Sequence, residues 1–143
     1  MKKVPVIFIL LLLAYYVLHD QALLPGTNGS GVADNSRILQ AFQNHENDVQ
    51  VRGTGEVVRI LSDDNDGSRH QRFILEVGPR NTVLVAHNID LAPRVSGINV
   101  GDSVEFYGVY EWNERGGVIH WTHHDPQGRH IGGWLKHQGR TYE

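Results

Sequence analysis

The segment HWTHHDPQGRH, residues 120–130, holds four of the nine histidines of a 143-residue chain, beside an Asp-Pro step and an arginine. Imidazole both ligates metals and exchanges protons near neutral pH, so this density raises metal binding, acid–base chemistry and ligand binding as readings. The chain has no cysteine. Thiolate sites and disulfides are therefore excluded, and any cofactor of this kind would be a divalent metal ion held by His, Asp and Glu. The segment cannot form such a site alone. In an extended strand successive residues rise ~3.3 Å and alternate faces, which leaves His120 and His124 on one face but ~13 Å apart. Two ligands of one ion each lie within ~2 Å of it. Partners must come from elsewhere, and two other segments offer them: SDDNDGSRH, with Asp63, Asp64, Asp66, Arg69 and His70, and AHNIDLAPR, with His87, Asn88, Asp90 and Arg94.

The elements that would position these residues are mostly strands. SRILQAFQNHEN predicts one short amphipathic helix, with Ile38, Leu39 and Phe42 on its stripe and Ser36 or Asp34 as cap. From Val49 the apolar period becomes two. VQVRGTGEVVRIL predicts a long first strand, and Gly53 and Gly55 inside it suggest a bulge or bend. QRFILEV and TVLVAHNI predict a hairpin across GPRN, with Phe73, Leu75 and Val77 facing Val83 and Val85. After a bridging segment, DSVEFYGVYEW predicts a fourth strand, broken at Gly108. VIHWTHH predicts the fifth, and a small hairpin about Gln138-Gly139 ends the chain. Five strands with a bent first strand and a longer third connection outline an all-β, OB-like barrel. An SH3-like barrel or a small sandwich is the alternative.

Strand order 1-2-3-5-4-1 in such a barrel brings the three polar segments and Asp102 to one rim. The candidate ligand-binding set is Arg69, His70, Asn88, Asp90, Arg94, Asp125, Arg129 and His130. The candidate metal ligands are His70, His87, His123 and His124, with Asp90 or Asp125 to orient a ligand or act as base. The plain alternative is that these histidines are hydrogen-bonded structural residues and that the Asn, Asp, Gly and Pro of the rim simply make its turns. SDDNDG is not an EF-hand: with Gly67 at the glycine position, Phe73 falls where the bidentate Glu belongs. Ser68, Asp66 and His70 lack the strand–turn–helix elbow of a hydrolase triad. Trp112, Trp121 and Trp134, with Tyr107 and Tyr110, read either as stacking platforms for sugars or single strands, or as barrel-wall residues.

DDNDGSRHQRFIL, AHNIDLAPR, GDSVEFYGVYEWN, GGVIHWTHHDPQGRH and GGWLKHQGRTY, in this order, resemble the bacterial domain-of-unknown-function family numbered 3465. The resemblance covers residues 49–142 and implies an exported or membrane-tethered bacterial domain. It brings no catalytic residues.

The N-terminus supports the same placement. Lys2 and Lys3 precede an uncharged apolar run, residues 4–18, which is the layout of a secretory signal. As a helix the run reaches roughly 22 Å, short of the ~30 Å hydrocarbon core. Extension through residue 24 would span it, so residues 1–24 read as a signal peptide or a signal anchor. Both put the remainder outside the cytoplasm, in the periplasm, since the lysines favour the inside. Residues 25–35 read as a flexible linker and residues 36–143 as the barrel domain. The membrane, through an uncleaved anchor, and a small ligand or envelope component are the implied partners. The net charge of -3, more negative without Lys2 and Lys3, disfavours nucleic acid. Three functions follow: an envelope binding module, a metal-dependent hydrolase on the same rim, and a structural interaction domain.

Overall fold

The computed structural model describes residues 35–143; the targeting segment and nearly all of the linker lie outside them. The described residues form a mostly β structure with one helix, α1 (Ser36–Gln43), and seven strands: β1 (Val49–Ile60), β2 (His70–Gly78), β3 (Asn81–Asn88), β4 (Ser103–Glu111), β5 (Val118–His120), β6 (Trp134–His137) and β7 (Arg140–Tyr142). The sheet runs β1-β2-β3-β5-β4, and β4 pairs back onto β1, closing a five-stranded barrel. β3 and β5 are parallel and the other barrel pairs antiparallel. This is the expected strand order.

Alternation builds the core. Phe73, Leu75 and Val77 of β2 and Val83 and Val85 of β3 are buried, as their period requires. They meet Val51, Val57, Val104, Phe106, Tyr110 and Ile119 from the other strands. β1 serves two partners. Its residues from Val49 to Glu56 pair with β4, and from Glu56 onward it pairs with β2. The irregularity that turns it lies between Val57 and Arg59, not at the glycines. Gly53 has a different role: a Cβ there would come within 2.7 Å of Asn35 Oδ1 and Ile38 Cδ1 and 2.5 Å of the Phe106 ring. Its bareness lets α1 seat on the barrel end.

α1 buries Ile38 and Ala41. Asn35 occupies the cap position, in place of the expected Ser36 or Asp34, yet its side chain makes no cap bond. Its amide donates to Thr54 O (2.7 Å) and Val77 O (2.8 Å) and accepts from Thr54 N (3.0 Å), fastening the helix start to two strands. Gly53→Val should therefore lift α1 off the barrel, at a cost of about 2–3 kcal/mol by overpacking. A lowered urea midpoint, with loss of amide-exchange protection at Ile38 and Ala41, is the expected reading.

The other barrel end is filled by the β3–β4 connection. Gln71 donates to Val95 O (3.0 Å) and accepts from Val95 N (2.9 Å), a two-point clasp on a buried valine. The barrel end at the polar rim is thus closed by a buried side chain. Gln71→Ala strands both backbone groups and should cost about 2 kcal/mol, measurable as a lower unfolding midpoint.

Gly108 does not break β4, which is continuous from Ser103 to Glu111. The interruption lies in the fifth strand instead. β5 ends at His120, short of the expected His124. β5 pairs with residues 109–111 of β4, and β6 pairs with residues 104–107 of the same strand in the same sense. Residues 121–133 are therefore an excursion from one strand, leaving and re-entering the ladder beside Gly108. The terminal hairpin turns at Gln138 and Gly139, both at positive φ, as the sequence predicts.

Candidate functional site

The excursion contains the histidine-rich segment, and its backbone is tightly determined. Trp121 is held at φ +52°, a left-handed conformation that costs a bulky side chain energy. Gly133 returns against it: its N–H donates to His123 O (2.9 Å), and a Cβ on Gly133 would lie 2.0 Å from Trp121 O and 2.5 Å from Tyr107 O. Asp125 organises the far end of the loop. Its carboxylate accepts from the N–H groups of Gln127 (2.9 Å), Arg129 (2.8 Å) and His130 (2.8 Å). The Gln127 bond foremost holds this carboxyl below the usual range. Asp125 is thus a loop fastener. Asp125→Ala should release the turn and unstack His130 from Trp121, seen as a change in tryptophan fluorescence with little change in far-UV circular dichroism.

The Trp121 indole lies parallel to His130, with centroids 4.2 Å apart and 3° between planes, and tilts against His123 at 5.3 Å. Three hollows lie along the outer wall of β2, β3 and β5, and Trp121 lines two of them. One of about 230 Å³ is lined by Ser68, His70, Asn88, His120, Trp121 and His123. A second of about 500 Å³ shares Leu91 and Trp121 with it and continues past Asp125, Arg129 and His130. A third of about 400 Å³ shares His70, Ala86 and His120 and runs on to Asp64, Arg72 and Glu111. Linked through these shared residues they line one groove, and each of the two larger hollows has the volume of a ligand site.

The hydrogen bonds define the tautomers. His70 Nδ1 lies 2.8 Å from Ser68 O, His123 Nδ1 2.8 Å from His124 O, and His130 Nδ1 3.1 Å from Ile131 O. A carbonyl only accepts, so each neutral ring carries its proton on Nδ1 and keeps Nε2 as an acceptor. His120 Nε2 pairs with Glu111 Oε1 at 3.4 Å.

The rim topology brings the three polar segments close, but only part of the expected set reaches the groove. His70, Asn88, His123, Asp125, Arg129 and His130 line it. Arg69 instead binds Asp90 through its backbone N–H (2.8 Å) and Nε (2.7 Å), and these bonds, the backbone one first, hold the Asp90 carboxyl below its usual range. Arg94 pairs with Asp63. Both pairs are exposed and contribute little to stability. His124 is exposed and lines none of the three hollows.

His87 departs most from the expected ligand set. It is fully buried. Its Nε2 lies 2.9 Å from Pro93 O and its Nδ1 2.8 Å from Thr122 Oγ1. The carbonyl requires N–H at Nε2, so Nδ1 accepts the Thr122 hydroxyl, and both ring nitrogens are occupied. Burial holds its pKa down to about 4, which keeps it neutral. Among the described residues no group of three or more His, Asp and Glu side chains stands close enough to share a metal ion. His70, His87, His123 and His124 are thus not assembled into one coordination sphere. Asp102, also expected at the rim, accepts from Asn99 N and pairs with the buried His137 at 2.7 Å, a contact that foremost lowers its carboxyl's pKa.

Leu91, His120 and Glu111 are not among the expected site residues. An apolar Leu91 set among the polar residues of AHNIDLAPR is the sequence signal for the first; His120 is hidden because VIHWTHH reads as one uninterrupted strand. The other tryptophans serve elsewhere. Trp112 stacks on His45 at 4.1 Å. Trp134 stands on the wall of β1, β4 and β6, between Arg52 and Lys136. Tyr110 is a core residue whose hydroxyl donates to Gly116 O.

The family described as a protein of unknown function, DUF3465, matches residues 23–143. The chain belongs to this family. The DUF3465 match contains the helix, the whole barrel, the excursion and every residue of the groove. No curated protein matches the chain.

Proposed function

We propose that this DUF3465 protein is a non-enzymatic ligand-binding module of the bacterial cell envelope. Residues 1–24 export it or tether it to the inner membrane, residues 25–34 act as spacer, and the barrel faces the periplasm. Its ligand occupies the groove on the outer wall of β2, β3 and β5. The observation that carries this reading is Trp121: a bulky residue kept in a left-handed conformation, at the junction of two hollows, by a loop with its own fastening carboxylate. Strain of this kind persists where the surrounding structure over-determines it, and it clusters at ligand sites. The Lys-Lys start and apolar run support the envelope placement.

Dialysis of the purified protein against a low-mass extract of bacterial envelopes tests the binding role, with retained compounds identified by mass spectrometry. The expected result is a compound kept by the native protein and lost from Trp121→Ala. Equal retention by both, or none by either, contradicts it. A reporter enzyme active only in the periplasm, fused after Glu143, tests the placement; an inactive fusion contradicts it.

A further inference from the structure

We propose that the groove binds an uncharged oligosaccharide, laid as a chain of sugar rings along the outer wall from Glu111 to Arg129. This rests on the groove being the ligand site, and three observations narrow the ligand.

The first is extent. The hollows are joined through shared residues, Leu91 and Trp121 on one side and His70, Ala86 and His120 on the other. A connected series suits a chain of repeating units better than one compact molecule.

The second is charge. The groove's cations, Arg72 and Arg129, are offset by Asp64, Glu111 and Asp125. Arg72 Nε moreover donates to Ser62 O (3.0 Å). A ligand bearing a phosphate on every unit needs a run of cations, and none is present here.

The third is the sense of the hydrogen bonds. With Nδ1 of His70, His123 and His130 donating to backbone carbonyls, the Nε2 atoms of the neutral rings are acceptors. The carboxylates of Asp64 and Glu111 are acceptors too. An acceptor-rich wall repels anions and takes hydroxyl protons, while Asn88 and Ser68 can donate in return. Leu84, Ala86, Leu91 and the Trp121 indole supply apolar surface. A sugar ring presents this same combination: hydroxyls around its edge and C–H bonds on its faces.

The test is titration of the full-length protein with tetra-N-acetylchitotetraose, N-acetylglucosamine, oligothymidylate and an uncharged peptide, followed by calorimetry and tryptophan fluorescence. The tetrasaccharide should bind at least about tenfold more tightly than the monosaccharide, because it fills more than one hollow. Trp121→Ala should weaken it by roughly tenfold or more. Leu91→Glu, at an exposed position, should do the same without endangering the fold. Trp134→Ala, on another wall, should leave the affinity unchanged. No saccharide binding, equal affinity for monomer and tetramer, or affinity unchanged in both groove variants overturns the proposal. Oligothymidylate or peptide binding that both groove variants abolish overturns the saccharide while leaving the groove as a ligand site.

Discussion

Replacing Gly133 with alanine is expected to destabilise the protein by about 3 kcal/mol, at the upper end for a small overpacking substitution. The reason is the identity of the atoms in the way. A Cβ on Gly133 would meet the carbonyl oxygens of Trp121 at 2.0 Å and Tyr107 at 2.5 Å. Tyr107 belongs to β4, whose ladder holds it in register with Trp134. Trp121 is fixed by the loop that Gly133 itself closes through His123 O. Neither oxygen sits on a flexible side chain that could swing aside. The chain must open the excursion or break the β4–β6 pairing, and either change disturbs Trp121. Chemical denaturation should show a much lower midpoint, and tryptophan emission should shift in the native baseline. An unchanged midpoint would mean that the strand does not re-enter where the pairing places it.

His87→Ala should cost about 3–4 kcal/mol, since it opens a cavity and leaves the buried Thr122 hydroxyl and the Pro93 carbonyl without a partner. The same residue sets a pH dependence. The imidazole titrates near 6.5 when unfolded and at about 4 when folded. Between these values the unfolded chain binds a proton that the folded one refuses, so acidification favours unfolding. His87's contribution is complete above pH 6.5 and is lost as pH falls toward 4. At 1.36 kcal/mol per pH unit this amounts to about 3 kcal/mol. Below that range both states are protonated and the residue adds no further slope. Urea midpoints of the native protein and His87→Gln, taken between pH 7 and 4, check this. The native protein should lose more stability across the window, and parallel curves would contradict the assignment.

His87 also shows where sequence reasoning stops. The barrel order was legible because alternation at Phe73, Leu75, Val77, Val83 and Val85 leaves one face for the core, and the GPRN and Gln138-Gly139 turns pair the strands they join. Tautomers and partners were not legible. Nothing in AHNIDLAPR says that the chain folds back six residues to bring Pro93 O onto the ring of His87. The excursion was hidden for a related reason. WTHH alternates as a strand would, and the feature that ends β5 is a backbone angle at Trp121, a residue type that rarely takes it. Gly133, the other half of that device, sits in a GG pair that carries no side chain to mark its role. The rim cluster was half legible: topology gathered the segments, but the pairings Arg69–Asp90 and Arg94–Asp63 removed four charged groups from the site.

A fragment screen read by amide and indole N–H resonances tests the central claim, that the groove beside Trp121 is where this protein meets its ligand. The chain has three tryptophans, placed in three distinct environments, so their indole signals report location whatever the class of ligand. Binding fragments are expected to move the Trp121 indole together with the amides of His70, Asn88 and His123. Fragments that instead move Trp134 and Tyr107, or that scatter without a common site, would contradict the account.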